Sequence, residues 1–285
     1  MRRSFPLLFL LLIITACQKN TSPGNIAAPE PEQTYFDKAY GTDINQKMDI
    51  YLPAGRTATT TKAIILIHGG AWATGDKTDF APFVDTLKKR LPDYAIFNIN
   101  YRLAAVGVNL FPTQENDVKA AFDFIVSKSG EYKITQKIVL LGASAGGHLA
   151  LLQGYKYTSP VEAKAIVDFF GPTNMTALHD QPADPTLVPV LEILMSGTPS
   201  SNPSMYQQSS PINFVNAQSP PTIVLQGGAD PLVPVAQSTS LDSKLQAMGV
   251  AHQYVFYPTQ GHGWFGDTLT HSFNAIQAFL TAHVN

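Results

Sequence analysis

The chain has 285 residues, 45% of them hydrophobic, and a formal net charge of −2. That is enough for one large core or two small ones, and without a basic surplus a nucleic-acid partner is excluded. A single cysteine, Cys17, excludes an internal disulfide and any cysteine-rich zinc site; no H-E-x-x-H motif occurs either, so no metal or cofactor is implied.

The N-terminus comes first. Arg2 and Arg3 precede the apolar stretch FPLLFLLLIITA, which is too short for a comfortable membrane span and ends on the small Ala16 directly before Cys17. IITAC resembles the lipobox of bacterial lipoproteins, in which the cysteine is lipidated and becomes the mature N-terminus. The resemblance implies a signal peptide over 1–16, a lipid anchor on Cys17 and an extracytoplasmic domain on the bacterial cell envelope. Gln18 lacks the aspartate that commonly retains lipoproteins at the inner membrane, which favours the outer one where the cell has one. An ordinary signal peptide with an incidental cysteine is the alternative. The following QKNTSPGNIAAPEPEQ is rich in Pro, Gly and small polar residues. It reads as a tether over 17–33 that reaches roughly 50 Å when extended at about 3.3 Å per residue.

From residue 34 to 285 strand and helix patterns alternate. QKMDIYLP alternates and stops at a proline, as a half-buried strand does. KAIILIH is a continuous apolar run, the pattern of a strand covered on both faces. DFAPFVDTLKKRL has helical spacing with basic residues at its end. YAIFNINYR is a strand, PTQENDVKAAFDFIVSK a helix, KIVLLG a strand and AGGHLALLQGY a helix. AKAIVDFFG, PPTIVLQGG and AHQYVFYP are later strands; VAQSTSLDSKLQAMG and HSFNAIQAFLTAHV are later helices. The order predicts an α/β fold, a mostly parallel central sheet with helices on both faces. The exception is 172–215, rich in Pro, Ser and Asn with one apolar piece, LVPVLEILM. It reads as a small cap insertion over the strand ends.

Gly142-Ala143-Ser144-Ala145-Gly146 fits G-x-S-x-G between a strand and a helix. The turn is too tight for side chains at the flanking glycine positions, and it presents the serine beside the first N–H groups of a helix. A serine hydroxyl is a poor nucleophile without a base, and the base needs an orienting acid. Of seven histidines, His262 in YPTQGHGWFG lies on a glycine-flanked loop near the C-terminus, where the base falls in the chain order Ser, Asp, His. Asp230 in LQGGADPLVP follows a buried-type strand at its carboxyl edge and is the expected acid. HGGAW, residues 68–72, ends another strand, and the N–H groups of Gly69, Gly70 and Ala145 are the expected oxyanion hole. His68 is expected to brace that loop, His148 to pack against the elbow, and Asp267 to cap the last helix. His252, His271 and His283 read as surface residues, and His179 as a cap residue in a solvated loop or against substrate. Trp72, Trp264 and Phe265 are candidates for lining the pocket or for the core.

HGGAW, YRL at 101–103, FPTQENDVKAA, GASAGGHLA, GGADPLVP and GHGW together resemble an α/β-hydrolase of the esterase branch related to hormone-sensitive lipase, and in particular the bacterial carbohydrate and feruloyl esterases of the BD-FAE type. The resemblance runs from about Tyr35 to the C-terminus. It implies Ser144 as nucleophile, His262 as base, Asp230 as acid, and hydrolysis of short acyl esters, acetate first, of carbohydrates or small molecules. Two positions depart from it: Ala71 replaces the third glycine of H-G-G-G, and Ala143 stands where the lipase-like branch often has an acid. HGGAW also fits the H-G-G-x-W of kynurenine formamidases, so an aryl formamide is the alternative substrate. Peptidases of the fold usually carry an additional domain, for which the tether leaves no room. A catalytically silent binding module is the non-enzyme alternative; such modules usually lack a triad member. Oligomeric state is open.

Overall fold

The computed structural model describes Met1 and residues 28–284. The signal-type segment, Cys17 and the tether up to residue 27 lie outside the described residues. The strands are β1 (Gln33–Ala39), β2 (Lys47–Leu52), β3 (Lys62–Ile67), β4 (Tyr94–Ile99), β5 (Ile138–Ala143), β6 (Ala165–Phe169), β7 (Thr222–Gly227) and β8 (His252–Tyr257). They form one sheet in the order β1-β2-β4-β3-β5-β6-β7-β8. β2 pairs antiparallel with both of its neighbours, and every other pairing is parallel.

The apolar runs follow from burial on two faces. In β3, Ile65 and Ile67 enter one core layer and Ile64 and Leu66 the other. All four are fully buried, and each contributes about 1.5–3 kcal/mol relative to an exposed side chain. The first layer is closed by α2 (Thr113–Ser127), α4 (Ala145–Lys156) and α8 (Val235–Met248), through Phe122, Leu149, Leu152 and Leu241 among others. The second is closed by α1 (Ala81–Arg90) and α9 (Gly266–His283), through Val84, Leu87, Ile276 and Phe279. Between α2 and β5 lies the short α3 (Ser129–Tyr132). A 3₁₀ turn, Lys77–Phe80, leads into α1. Its start is closed by a capping box, in which Asp76 accepts from Thr78 N–H and Asp79 accepts from Asp76 N–H.

β1 has no counterpart among the strands expected from sequence. Six of its seven residues are exposed, so it carries no alternation, and Asp37 (φ 52°) breaks its register against β2. A charged, bulged edge of this kind discourages pairing with another chain. Residues 30–33, expected as the end of the tether, lie on the domain. Glu30 pairs with Arg56 and Lys133, Glu32 pairs with Lys88 at 2.7 Å, and the Pro31 carbonyl accepts from Arg56. Carboxylates that find cations across the fold leave no periodic signal.

The insertion 172–215 is more ordered than its composition indicates. It contains α5 (Met175–Asp180), α6 (Leu187–Leu194), α7 (Pro203–Gln208) and a 3₁₀ turn, Pro211–Phe214. LVPVLEILM supplies α6, which buries Leu191 and Leu194. α9 starts five residues before the expected helix, so His271 lies inside it and not at its end.

Candidate active site

Ser144 is the hinge between β5 and α4. Its backbone has φ 56° and ψ −123°, a conformation that L residues hold only when the surroundings enforce it. The enforcing contacts are backbone on backbone. A Cβ on Gly142 would lie 2.1 Å from the Gly146 carbonyl oxygen, and one on Gly146 would lie 1.9 Å from that of Ile67. Glycine at both positions is therefore a condition for the turn to close. Ser144 Oγ makes no hydrogen bond among the described residues, and it opens into a cavity of about 390 Å³ shared with His262. A bond between serine and base often tightens only when substrate is present.

Asp230 follows β7, and His262 lies on the loop between β8 and α9. His262 Nδ1–H donates to Asp230 Oδ2 at 2.8 Å. Since a carboxylate only accepts, the proton belongs on Nδ1 and the lone pair on Nε2. The Asp230 carboxylate is fully shielded from solvent. Its Oδ1 accepts from the N–H groups of Leu232 and Val233 at 2.8 and 2.9 Å. Burial pushes the pKa up, but the hydrogen bonds from His262 and Val233 outweigh it and hold the carboxyl below its ordinary range. Phe170 packs its ring 4.4 Å from the imidazole of His262.

On the other side of Ser144 the chain turns at Gly69–Trp72. Gly70, Ala71 and Trp72 all have positive φ, at 103°, 48° and 61°. The carbonyls of both glycines are occupied. Gly70 O accepts from Ala73 N–H, Thr74 N–H and the Thr74 hydroxyl, and Gly69 O from His68 Nδ1–H and the Tyr101 hydroxyl. The N–H groups of Gly69, Gly70 and Ala145 have no protein partner among the described residues. Gly69 and Gly70 wall the Ser144 cavity, so their unpaired donors border the space where negative charge would develop on a substrate attacked by Ser144. His68 is buried and stacks on Tyr101 at 4.3 Å, which fits a bracing role.

The remaining candidates divide. Trp72 walls the Ser144 cavity, as do Leu178, Leu187, Val190 and Leu191 from the cap. Trp264 and Phe265 do not: they border a separate apolar cavity of about 190 Å³ between α1 and α9. The reason is local. The Trp264 indole N–H donates to Ser272 of α9 at 2.8 Å, turning the ring away from Ser144, and Phe265 projects into solvent at the start of that helix, 82% exposed. Asp267 lies in the first turn of α9 without capping it. His179 is held between Asp180 and Glu192 within the cap and does not reach the cavity wall. Among the described residues no three His, Cys, Asp or Glu side chains gather as metal ligands would.

The chain is 31% identical over 244 residues to the probable carboxylic ester hydrolase LipM of Mycobacterium tuberculosis, covering 78% of this chain and 55% of that protein. It thus spans little more than half the length of that relative. Among solved structures, a bifunctional GH43-CE protein of Bacteroides eggerthii superposes with a TM-score of 0.76 at 29% identity, over 88% of this chain and 38% of the other. A truncated carbohydrate esterase from gut microbiota gives 0.75 at 26% identity, over 88% and 95%. The architecture is the α/β-hydrolase fold. The profile of the BD-FAE family matches residues 48–245, more than half of the chain, and the protein therefore belongs to the BD-FAE family.

Proposed function

We propose that the protein is a serine carboxylic-ester hydrolase that removes short acyl groups, acetyl first, from carbohydrate or small-molecule esters. The observation that carries this reading is the 2.8 Å bond from His262 Nδ1 to Asp230, on the wall of the cavity that receives Ser144. Ser144 Oγ attacks the ester carbonyl while Nε2 of His262 takes its proton. The C–O π pair moves to the carbonyl oxygen, and the oxyanion is met by the N–H groups of Gly69, Gly70 and Ala145. The imidazolium, stabilised by the Asp230 carboxylate, then protonates the departing alkoxide as the C–O bond to the alcohol breaks. Water repeats the sequence on the acyl-enzyme: His262 takes its proton, the acid leaves, and Ser144 recovers its hydrogen.

Two features support a short acyl group. The cavity holds about 390 Å³, at the low end for small-molecule sites, and Leu178, Leu187 and Leu191 of the cap line it. A carbohydrate alcohol is supported by the likeness to a carbohydrate esterase along nearly all of that chain's length. The test is acetate release from acetylated xylan by residues 28–285, with Ser144→Ala as control. Release by the wild type alone is the expected result. Cleavage of p-nitrophenyl acetate without release from xylan keeps the chemistry, discards the carbohydrate, and moves aryl esters and aryl formamides forward.

We further propose that Cys17 carries the lipid anchor and that the domain faces away from the cytoplasm on the cell envelope. The support is the lone cysteine placed directly after an apolar stretch and Ala16. Several acyl chains at about 0.8 kcal/mol per buried methylene give stable anchoring. Expressed in a bacterium with an outer membrane, the full chain is expected in the membrane fraction with an acylated N-terminal cysteine by mass spectrometry. Cys17→Ala should abolish the modification; an unmodified wild type would refute the anchor.

A further inference from the structure

His148 is a buried histidine that the proposed mechanism does not use. It lies on α4, one helical turn beyond Ser144, with no solvent exposure. Its Nδ1 accepts the indole N–H of Trp72 at 3.1 Å, and its Nε2 is 2.7 Å from the carbonyl oxygen of Ser209, where the cap returns to the domain. The two partners fix one protonation state. An indole N–H can only donate, so Nδ1 carries a lone pair; a carbonyl can only accept, so Nε2 carries the hydrogen. Burial favours the same neutral form, pushing the pKa down to about 4.

Trp72 is the last residue of the turn that carries Gly69 and Gly70. Ala71 and Trp72 both hold left-handed backbone, a conformation that a non-glycine residue keeps only when its surroundings enforce it. Something must hold that turn in place. At the backbone, Trp72 O accepts from Ala104 N–H at 2.9 Å; at the side chain, the His148 ring holds the indole, edge to face at 5.1 Å. A core histidine satisfied by chance would need no link to this turn. Here one ring ties the helix that begins at Ser144 to the turn with the unpaired N–H groups and to the cap.

We propose that His148 is a positioning residue for the oxyanion hole: through Trp72, its neutral ring sets where the N–H groups of Gly69 and Gly70 stand relative to Ser144. The proposal rests on the serine-hydrolase reading. Its consequence is selective. Loosening the turn weakens contacts made only in the transition state, so kcat falls while KM holds.

Two near-isosteric variants separate the two bonds. His148→Asn keeps an acceptor close to the Nδ1 position and gives up Ser209. His148→Gln can still donate to Ser209 from its amide nitrogen but offers Trp72 no acceptor at that position. Competent sites are first counted with a fluorophosphonate, so that misfolded protein does not enter kcat. His148→Gln is expected to lose about 10–100-fold in kcat per titrated site on p-nitrophenyl acetate, less than the 10²–10³ typical of deleting a donor outright, with KM within about twofold. His148→Asn should stay within about threefold of wild type. In kcat, Trp72→Phe should resemble His148→Gln, and the double variant His148→Gln/Trp72→Phe should be no worse than either, because both remove the same bond; KM is read only in the His148 variants, since Trp72 also walls the cavity. Equal losses in the Asn and Gln variants, additive losses in the double variant, or a change in KM alone would overturn the proposal and leave His148 as packing. A wild type that takes no fluorophosphonate would sink the hydrolase reading itself, a failure distinct from all of these.

Discussion

Ser144→Ala is expected to lower kcat on p-nitrophenyl acetate by about 10⁶-fold, the scale of losing a nucleophile that acts as a unit with its base. What survives should be about 10³–10⁴ over the uncatalysed reaction, supplied by binding and the oxyanion donors. The variant should keep its fold. Ser144 Oγ makes no hydrogen bond among the described residues, and alanine meets the same backbone demand at φ 56° as serine does. Its unfolding free energy from urea titration should therefore lie within about 0.5 kcal/mol of wild type. The comparison is informative because the elbow is held by contacts at Gly142 and Gly146 and not by the serine side chain. A folded Ser144→Ala protein with wild-type turnover would remove Ser144 from the chemistry, and with it the acyl-enzyme.

How much of this was legible in the sequence depended on whether the signal was local. The inner strands were plain, because burial on both faces writes a continuous apolar run such as Ala63–Ile67. The elbow was plain too, because backbone clashes at fixed offsets demand glycine at 142 and 146. Asp230 and His262 are marked by their places after strands, and the structure brings their side chains to 2.8 Å. β1 escaped because an exposed edge strand has no face to mark. The short cap helices escaped because Pro, Ser and Asn sit at their ends and only α6 is apolar enough to register. Trp264 and Phe265 stand two and three residues beyond His262, yet the side-chain bond to Ser272 turns Trp264 into another cavity. The link from Trp72 to His148 spans 76 positions. Nothing local encodes it, although H-G-G-A-W and G-G-H were each visible.

Asp230→Asn should cost about 10⁴-fold in kcat, while fluorophosphonate labelling slows in parallel. The loss is one of tautomer and charge, not of shape. The asparagine oxygen can still accept from Leu232 and Val233, as Asp230 Oδ1 does now. The amide nitrogen then faces His262 Nδ1 and donates to it, which forces the imidazole hydrogen onto Nε2. A ring protonated there cannot take the proton from Ser144, and no carboxylate remains to stabilise the imidazolium. The same substitution has a signature in stability. The Asp230 carboxyl titrates below its ordinary range in the folded protein, so below about pH 4 the unfolded chain binds its proton first. Its contribution is complete above the unfolded value and is lost as pH falls through the folded one. Wild type should therefore lose stability towards acid more steeply than Asp230→Asn below about pH 4. Urea midpoints measured from pH 3 to 7 read this directly. Parallel curves throughout would mean that the carboxylate gains nothing from its partners, and the case for Asp230 as the orienting acid would fall.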